Sequence, residues 1–297
     1  MLTYLLLVLS IIFAAANGLL LHGYHNRGLR GLGDILLFNS LISCVWSVIM
    51  FPLNGFSPIS SETFWWGFLF GITIAAQLLC KMQALATGSA SITTLVGCSS
   101  MLIPTAIGIM AFRENVFPLQ VVGAILLLMA LFLCCSLKTE KVKYTWIIWC
   151  ILFFFSNSAV GVIFKFHQAS ENAGQVNGMM LVASLVSAVF LALISVVVSK
   201  KQENSLPRVP RSIIIFVICC GIASCGYNRL NISLTGLLPS IIFFPIFNGS
   251  VILLTSLLSA ICFKEKLKKA QLFGLILGVV ALMLTAGVID NILALLK

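Results

Sequence analysis

The sequence predicts an all-α polytopic membrane protein with ten transmembrane helices in two inverted five-helix repeats. Three observations predict it. Of the 297 residues, 60% are hydrophobic and only 9% charged, whereas a soluble domain carries about 25% charge. Apolar runs of roughly 20 residues, the length that crosses a bilayer, recur from end to end without strand-like alternation. One polar motif occurs twice at a fixed offset, the mark of an internal repeat.

The ten runs are 2–21, 32–53, 64–85, 91–112, 117–137, 145–166, 176–199, 212–233, 237–263 and 269–289. Their connections are short, and none is polar enough or long enough to make a water-soluble domain. Backbone groups in lipid must pair internally, so each run reads as a helix. The first run contains FAAANG at 13–18, which has the small-residue pattern of a leader cleavage site. Residues 1–12 hold no lysine or arginine, so a mature first helix carrying Asn17 is expected instead. The second run carries Asn39. In the third, Thr73, Gln77 and Lys81 step by four and share one helical face. The fourth carries Ser99 and the breakers Gly97, Pro104 and Gly108. The sixth repeats the four-residue step with Asn157, Gly161 and Lys165, and the eighth offers Ser224, Tyr227 and Asn228. The ninth offers Asn248 and Ser250, with Gly236, Pro239, Pro245 and Gly249 in it or beside it. Proline frees a backbone carbonyl, so interruptions in the fourth and ninth runs suit a binding site as well as a bend.

The fifth and tenth runs are each preceded by the same element, F-(R/K)-E-x5-Q-x2-G. Phe112, Arg113, Glu114, Gln120 and Gly123 recur as Phe263, Lys264, Glu265, Gln271 and Gly274, all at an offset of 151. The offset continues upstream: Thr73 aligns with Ser224, Gln77 with Asn228, Ser89 with Ser240 and Ser99 with Ser250. The chain therefore divides into a first repeat at 1–137, a linker at 138–144 and a second repeat at 145–297. Five is odd, so the second repeat enters the membrane from the opposite side. The Arg113–Glu114 and Lys264–Glu265 pairs mark the last turn of each repeat as a polar hinge or end-cap. Gly123 and Gly274 let the following helix pack closely.

Two five-helix halves, each ending in this hairpin, resemble the drug/metabolite transporter superfamily in its EamA-like ten-helix branch. The resemblance covers nearly the whole chain. It departs at Asn115 and Lys266, where the family's glutamate is typically followed by arginine. It implies a carrier of small molecules with a central cavity between the halves, and it fixes no substrate.

Lysine and arginine set orientation. Odd-numbered connections and the adjoining helix ends hold fourteen of the 18 basic residues, and the other side holds Arg113, Lys165, Arg229 and Lys297. Both termini are expected outside, in a bacterial cytoplasmic membrane. The formal charge of +10 is assigned to these flanks, not to nucleic acid.

Polar groups in spans are expected to face the bundle interior. The expected substrate-binding set is Asn17, Thr73, Gln77, Lys81, Ser99, Asn157, Lys165, Ser224, Tyr227, Asn228, Asn248 and Ser250. Taken singly, each reads first as a tie between helices; together they come from both repeats, as a shared cavity requires. None of the eight carboxylates is mid-span. A buried-glutamate drive for hydrophobic cations is therefore missing, and the cations Lys81, Lys165 and Arg229 favour an anionic, zwitterionic or neutral solute. His22, His25 and His167 lie at span ends and read as interfacial caps. The ten cysteines show no C-x-x-C and no metal spacing, and no catalytic motif is present. The expectation is a secondary transporter, not an enzyme, with no metal or other cofactor, moving a small polar, amino-acid-like solute across the lipid bilayer by alternating access. Coupling to a proton or counter-solute stays open. Two alternatives are a channel-like facilitator and a carrier that holds quaternary amines in an aromatic cage built from Trp46, Trp65, Trp66, Tyr227, Phe243 and Phe244.

Overall fold

The computed structural model describes residues 2–24, 31–134, 144–201, 207–262 and 269–286. These form α1 (Leu2–Tyr24), α2 (Leu32–Asn54), α3 (Ser61–Thr87), α4 (Ala90–Ser99), α5 (Leu102–Ala111), α6 (Pro118–Cys134), α7 (Tyr144–Ala169), α8 (Val176–Lys201), α9 (Ile214–Leu237), α10 (Ser240–Cys262) and α11 (Lys269–Thr285), with one 3-10 turn before α9 and no strand among the described residues. Each of the ten expected runs is helical over most of its described residues. Eight are long and apolar enough to cross a membrane, α4 and α5 together making one of them at Ile92–Ala111. The other two, α6 and α11, are apolar helices with 17 described residues each.

The surface explains the solvent. Met110 is 81% exposed and Val48 73%, amid a belt of exposed Leu, Ile, Val and Phe that covers most helices. Water would not tolerate an apolar surface of that extent. Serine, threonine and asparagine are instead buried between helices, the arrangement expected of an integral membrane protein.

Local chemistry sets the helix ends. Gly55 takes the left-handed conformation (φ 59°) that closes α2. Ser60 caps α3, its Oγ accepting from the Thr63 N–H at 3.2 Å. The fourth run breaks at Ser100–Met101. Pro104 has no N–H to offer the Ser100 carbonyl, and Ser158 Oγ of α7 donates to that oxygen at 2.9 Å. The Met101 N–H turns to Cys98, which leaves the Gly97 carbonyl for Asn157 Nδ2 at 2.8 Å. Both carbonyls at this break thus gain a donor from α7, and the Gly97 carbonyl also accepts from Ser100 Oγ at 2.6 Å. The ninth run is shorter than expected. Leu238 is extended and ends α9, and the Pro239 carbonyl opens α10 by accepting from Ile242 and Phe243. Gly236 and Pro239 therefore mark the α9–α10 corner, and Pro245 is the proline inside α10.

The helices run alternately up and down. Ser60, before α3, meets Gln175, before α8, at 2.9 Å; Glu114, after α5, meets Ser240, at the start of α10, at 2.6 Å. Ser10 of α1 bonds Asn231 near the end of α9 at 2.6 Å. These junctions share one end of the bundle, called here the upper end. α2 packs on α8 and α9, α3 on α7 and α8, α1 on α9 and α10, and α6 on α11. The last contact is close: a Cβ on Gly123 would lie 2.6 Å from the Thr285 N. Of the linker at 138–144, only Tyr144 lies within the described residues, as the first residue of α7.

Candidate functional site

A cavity of about 410 Å³ lies between α1, α2, α3, α4–α5, α7, α9 and α10. That volume is within the range of small-molecule sites. Eight of the expected binding residues line it: Asn17, Gln77, Lys81, Asn157, Ser224, Tyr227, Asn228 and Asn248. Four do not. Thr73 and Ser99 turn back on their own helices, donating to Leu69 at 2.7 Å and Leu95 at 2.9 Å, the usual local competition of hydroxyls with helix backbone. Ser250 and Lys165 also lie off the lining.

Asn157 organises one wall. Its Oδ1 accepts from Gln77 Nε2, and its Nδ2 donates to the Gly97 carbonyl and to Ser100 Oγ. One residue of α7 thereby locks α3 to the broken fourth run. On the opposite wall Trp46 Nε1 donates to Ser224 Oγ at 2.7 Å, and Ser224 Oγ donates to the Cys220 carbonyl at 2.6 Å. Asn39, Asn228 and Asn248 each commit Nδ2 to the carbonyl one turn back. Asn231 completes this wall through Ser10. Ser100 and Asn231 were not foreseen as wall residues. Asn231 lies three residues past Asn228 on the same helical face, and the proline four residues after Ser100 signals its freed carbonyl.

The two ends of the cavity differ. Toward the upper end it is walled by Phe70, Phe164, Phe243 and Phe244, all buried. The Phe70 and Phe164 rings meet edge to face at 4.7 Å, and Phe243 and Phe244 at 5.0 Å. Toward the lower end the lining continues through Leu78 and Lys81 of α3 and Leu21 in the last turn of α1, all only half-buried. Of the aromatic-cage candidates, Trp46, Tyr227, Phe243 and Phe244 reach the cavity, and Trp65 and Trp66 do not.

Above the aromatic wall sits a polar clasp. Glu114 Oε2 accepts the Ser240 N–H at 2.6 Å and Oε1 accepts Ser240 Oγ at 3.2 Å, while the same carboxylate pairs with Lys165. Lys165 Nζ also donates to the Thr235 carbonyl at 3.0 Å and stands 5.6 Å over the Phe112 ring. The anion therefore caps the N-terminus of α10 and the cation the C-terminus of α9, each at the favourable pole of its helix. Arg113 is held at φ 50° to aim Glu114 inward. A Cβ on Gly108 would fall inside the Ser240 side chain, so only glycine admits this approach. Arg229 is held elsewhere, its Nε donating to Asn177 Oδ1 at 2.8 Å. Lys264 and Glu265 lie outside the described residues.

Among solved structures, a crystal structure described only as that of a protein superposes on this chain with a TM-score of 0.75 over 98% of both chains, at 13% sequence identity. That likeness shows the fold alone. No family model matches the chain, and no curated protein does.

The arrangement is chemically specific. The cavity holds a ring of amides and aromatic faces, one lysine and no carboxylate among its lining residues. Among the described residues no group of three or more His, Cys, Asp or Glu is placed to hold a metal ion.

Proposed function

We propose that the chain is a secondary transporter, of the kind found in the drug/metabolite transporter superfamily, that moves a small polar, zwitterionic or anionic solute by alternating access. The observation that carries this reading is the asymmetric cavity. It is shut above by four buried aromatic rings and the Glu114–Lys165 clasp, and it continues below toward Leu21 and Lys81. A facilitator would need a path past that wall, so the carrier is the favoured reading.

Inverted repeats are supported by the packing. The contacts pair up when the halves are exchanged: α3 on α7 corresponds to α9 on α1, and α3 on α8 to α9 on α2. The fifth helices of the two halves, α6 and α11, meet each other, as do the second helices α2 and α8. The Glu114 corner is at the upper end. α10 starts there at Ser240 and runs 23 residues away from it, roughly 34 Å at helical rise, so it ends at the lower end. Basic residues cluster in the connections of the lower end, which makes that end cytoplasmic. The start of α1 and the end of α11 then face outside, and the cavity as seen opens inward.

A ligand-induced thermal-shift screen of the purified protein tests the site. The panel spans amino acids, amines, nucleosides and phosphorylated sugars. A hit is then assayed for counterflow in proteoliposomes, where unlabelled solute on one side speeds labelled solute from the other. The reading expects trans-stimulation, lost in Q77A and N228A. A flux that does not saturate and shows no trans-stimulation would favour the facilitator instead.

A further inference from the structure

Among the residues that line the cavity, Lys81 is the one charged donor, and nothing in the described chain matches it. Asn39, Asn228 and Asn248 commit their Nδ2 groups to their own helices, Asn157 is committed on both sides, and Trp46 donates to Ser224. Lys81 lines the same cavity and makes no hydrogen bond or ion pair with any described residue. Its two basic counterparts are accounted for, Lys165 by Glu114 and Arg229 by Asn177. In the lining of the same cavity, Asn17 Oδ1 is buried without a donor. An ammonium facing a half-buried, carboxylate-free cavity is costly unless something outside the chain neutralises it.

We infer that Lys81 is the charge-selecting residue of the cavity. It docks a carboxylate or similar anionic group of the solute, and the Asn17 oxygen receives a donor from the same solute after a side-chain rotation. This deepens the proposed function and rests on the cavity being the solute site. A solute with an anionic head is held at the lower, half-buried end, where Lys81 lies. Its apolar part then points up toward Phe164 and Phe244.

Three isosteric probes separate the charges: L-leucine, 4-methylpentanoate, which lacks the amine, and 3-methylbutylamine, which lacks the carboxylate. Binding is measured on the full chain in phosphatidylcholine nanodiscs. The first two are expected to bind on the order of ten- to a hundred-fold tighter than the amine, the strength of a charge-assisted hydrogen bond. K81M is expected to erase that difference and K81R to keep it, which separates a charge effect from a folding defect. N17A is expected to weaken leucine and leave 4-methylpentanoate unchanged. Equal binding of the amine, no binding by either carboxylate, or a K81M protein that keeps the wild-type ratio would overturn the inference. Loss of leucine binding when phosphatidylglycerol replaces phosphatidylcholine would assign Lys81 to a lipid headgroup and overturn it too. Counterflow of the same probes reads transport separately. Selective binding that depends on Lys81, without counterflow, would sink the transporter reading and leave the assignment of Lys81 standing.

Discussion

Glu114→Gln should destabilise the protein, and the cost should shrink when Lys165 is changed as well. Glu114 accepts two hydrogen bonds from Ser240 and pairs with Lys165, and both charged side chains are only 11% exposed. A hydrogen bond to a charged group contributes roughly 1.5–3 kcal/mol. Removing one partner of a buried pair costs about 3–5 kcal/mol, because the other charge is stranded. The clasp sits at the end of the bundle, where water reaches more easily, so about 3 kcal/mol is expected for E114Q and a similar loss for K165M. In E114Q/K165M no charge is stranded. The double variant should therefore lose about 3–4 kcal/mol, not about 6, which gives a coupling of about 2 kcal/mol or more. Reversible unfolding in mixed micelles of mild detergent and dodecyl sulfate measures all four corners of the cycle. A coupling below about 0.5 kcal/mol would mean that the two side chains do not depend on each other, and the clasp would fall with it.

Three further outcomes are expected from the same unfolding assay. Asn157→Ala removes the partner of Gln77 and one of the two donors to the Gly97 carbonyl, to which Ser100 Oγ still donates at 2.6 Å, and should cost roughly 1–3 kcal/mol; a loss under about 0.5 kcal/mol would show that water replaces the amide easily. Gly123→Ala places a methyl 2.6 Å from the Thr285 N and Oγ1. It should cost about 1–3 kcal/mol by forcing α6 from α11, and a neutral result would contradict that close contact. Arg113→Gly should be neutral or stabilising by up to about 1 kcal/mol, since glycine takes φ 50° without a Cβ penalty. A clear loss in that variant would reveal a role for the guanidinium.

Much of the fold is legible because lipid demands long apolar runs, and their ends fall within a few residues of the helices. The misplaced boundaries are instructive. Leu238 and Pro239 continue an apolar run, so hydropathy alone cannot see that the backbone turns there. The cavity is legible in part. Gln77 and Asn157 are spaced for the interior, and they do meet there. Lys165 shares a face with Asn157, but periodicity fixes direction around a helix, not depth along it. Two turns beyond Asn157 it passes the aromatic wall and joins the clasp. The partner of Glu114 is not readable locally, because Ser240 is 126 residues away. The matched offset of Ser89 and Ser240 hinted only that the position matters. Thr73 and Ser99 mislead because a hydroxyl can satisfy itself on its own helix, a choice that sequence does not record.

Alternating access is tested most directly by pulsed electron–electron distance measurements in nanodiscs, without any ligand. One spin-label pair at Phe56 and Leu237 reports the upper end, and another at Tyr144 and Ile214 the lower end; all four side chains are exposed. With the clasp intact, a short distance is expected above and a long one below. With E114Q, the upper distance should lengthen as the lower one shortens. Upper and lower distances that stay unchanged in E114Q, or that lengthen together, would contradict a carrier that opens one side at a time.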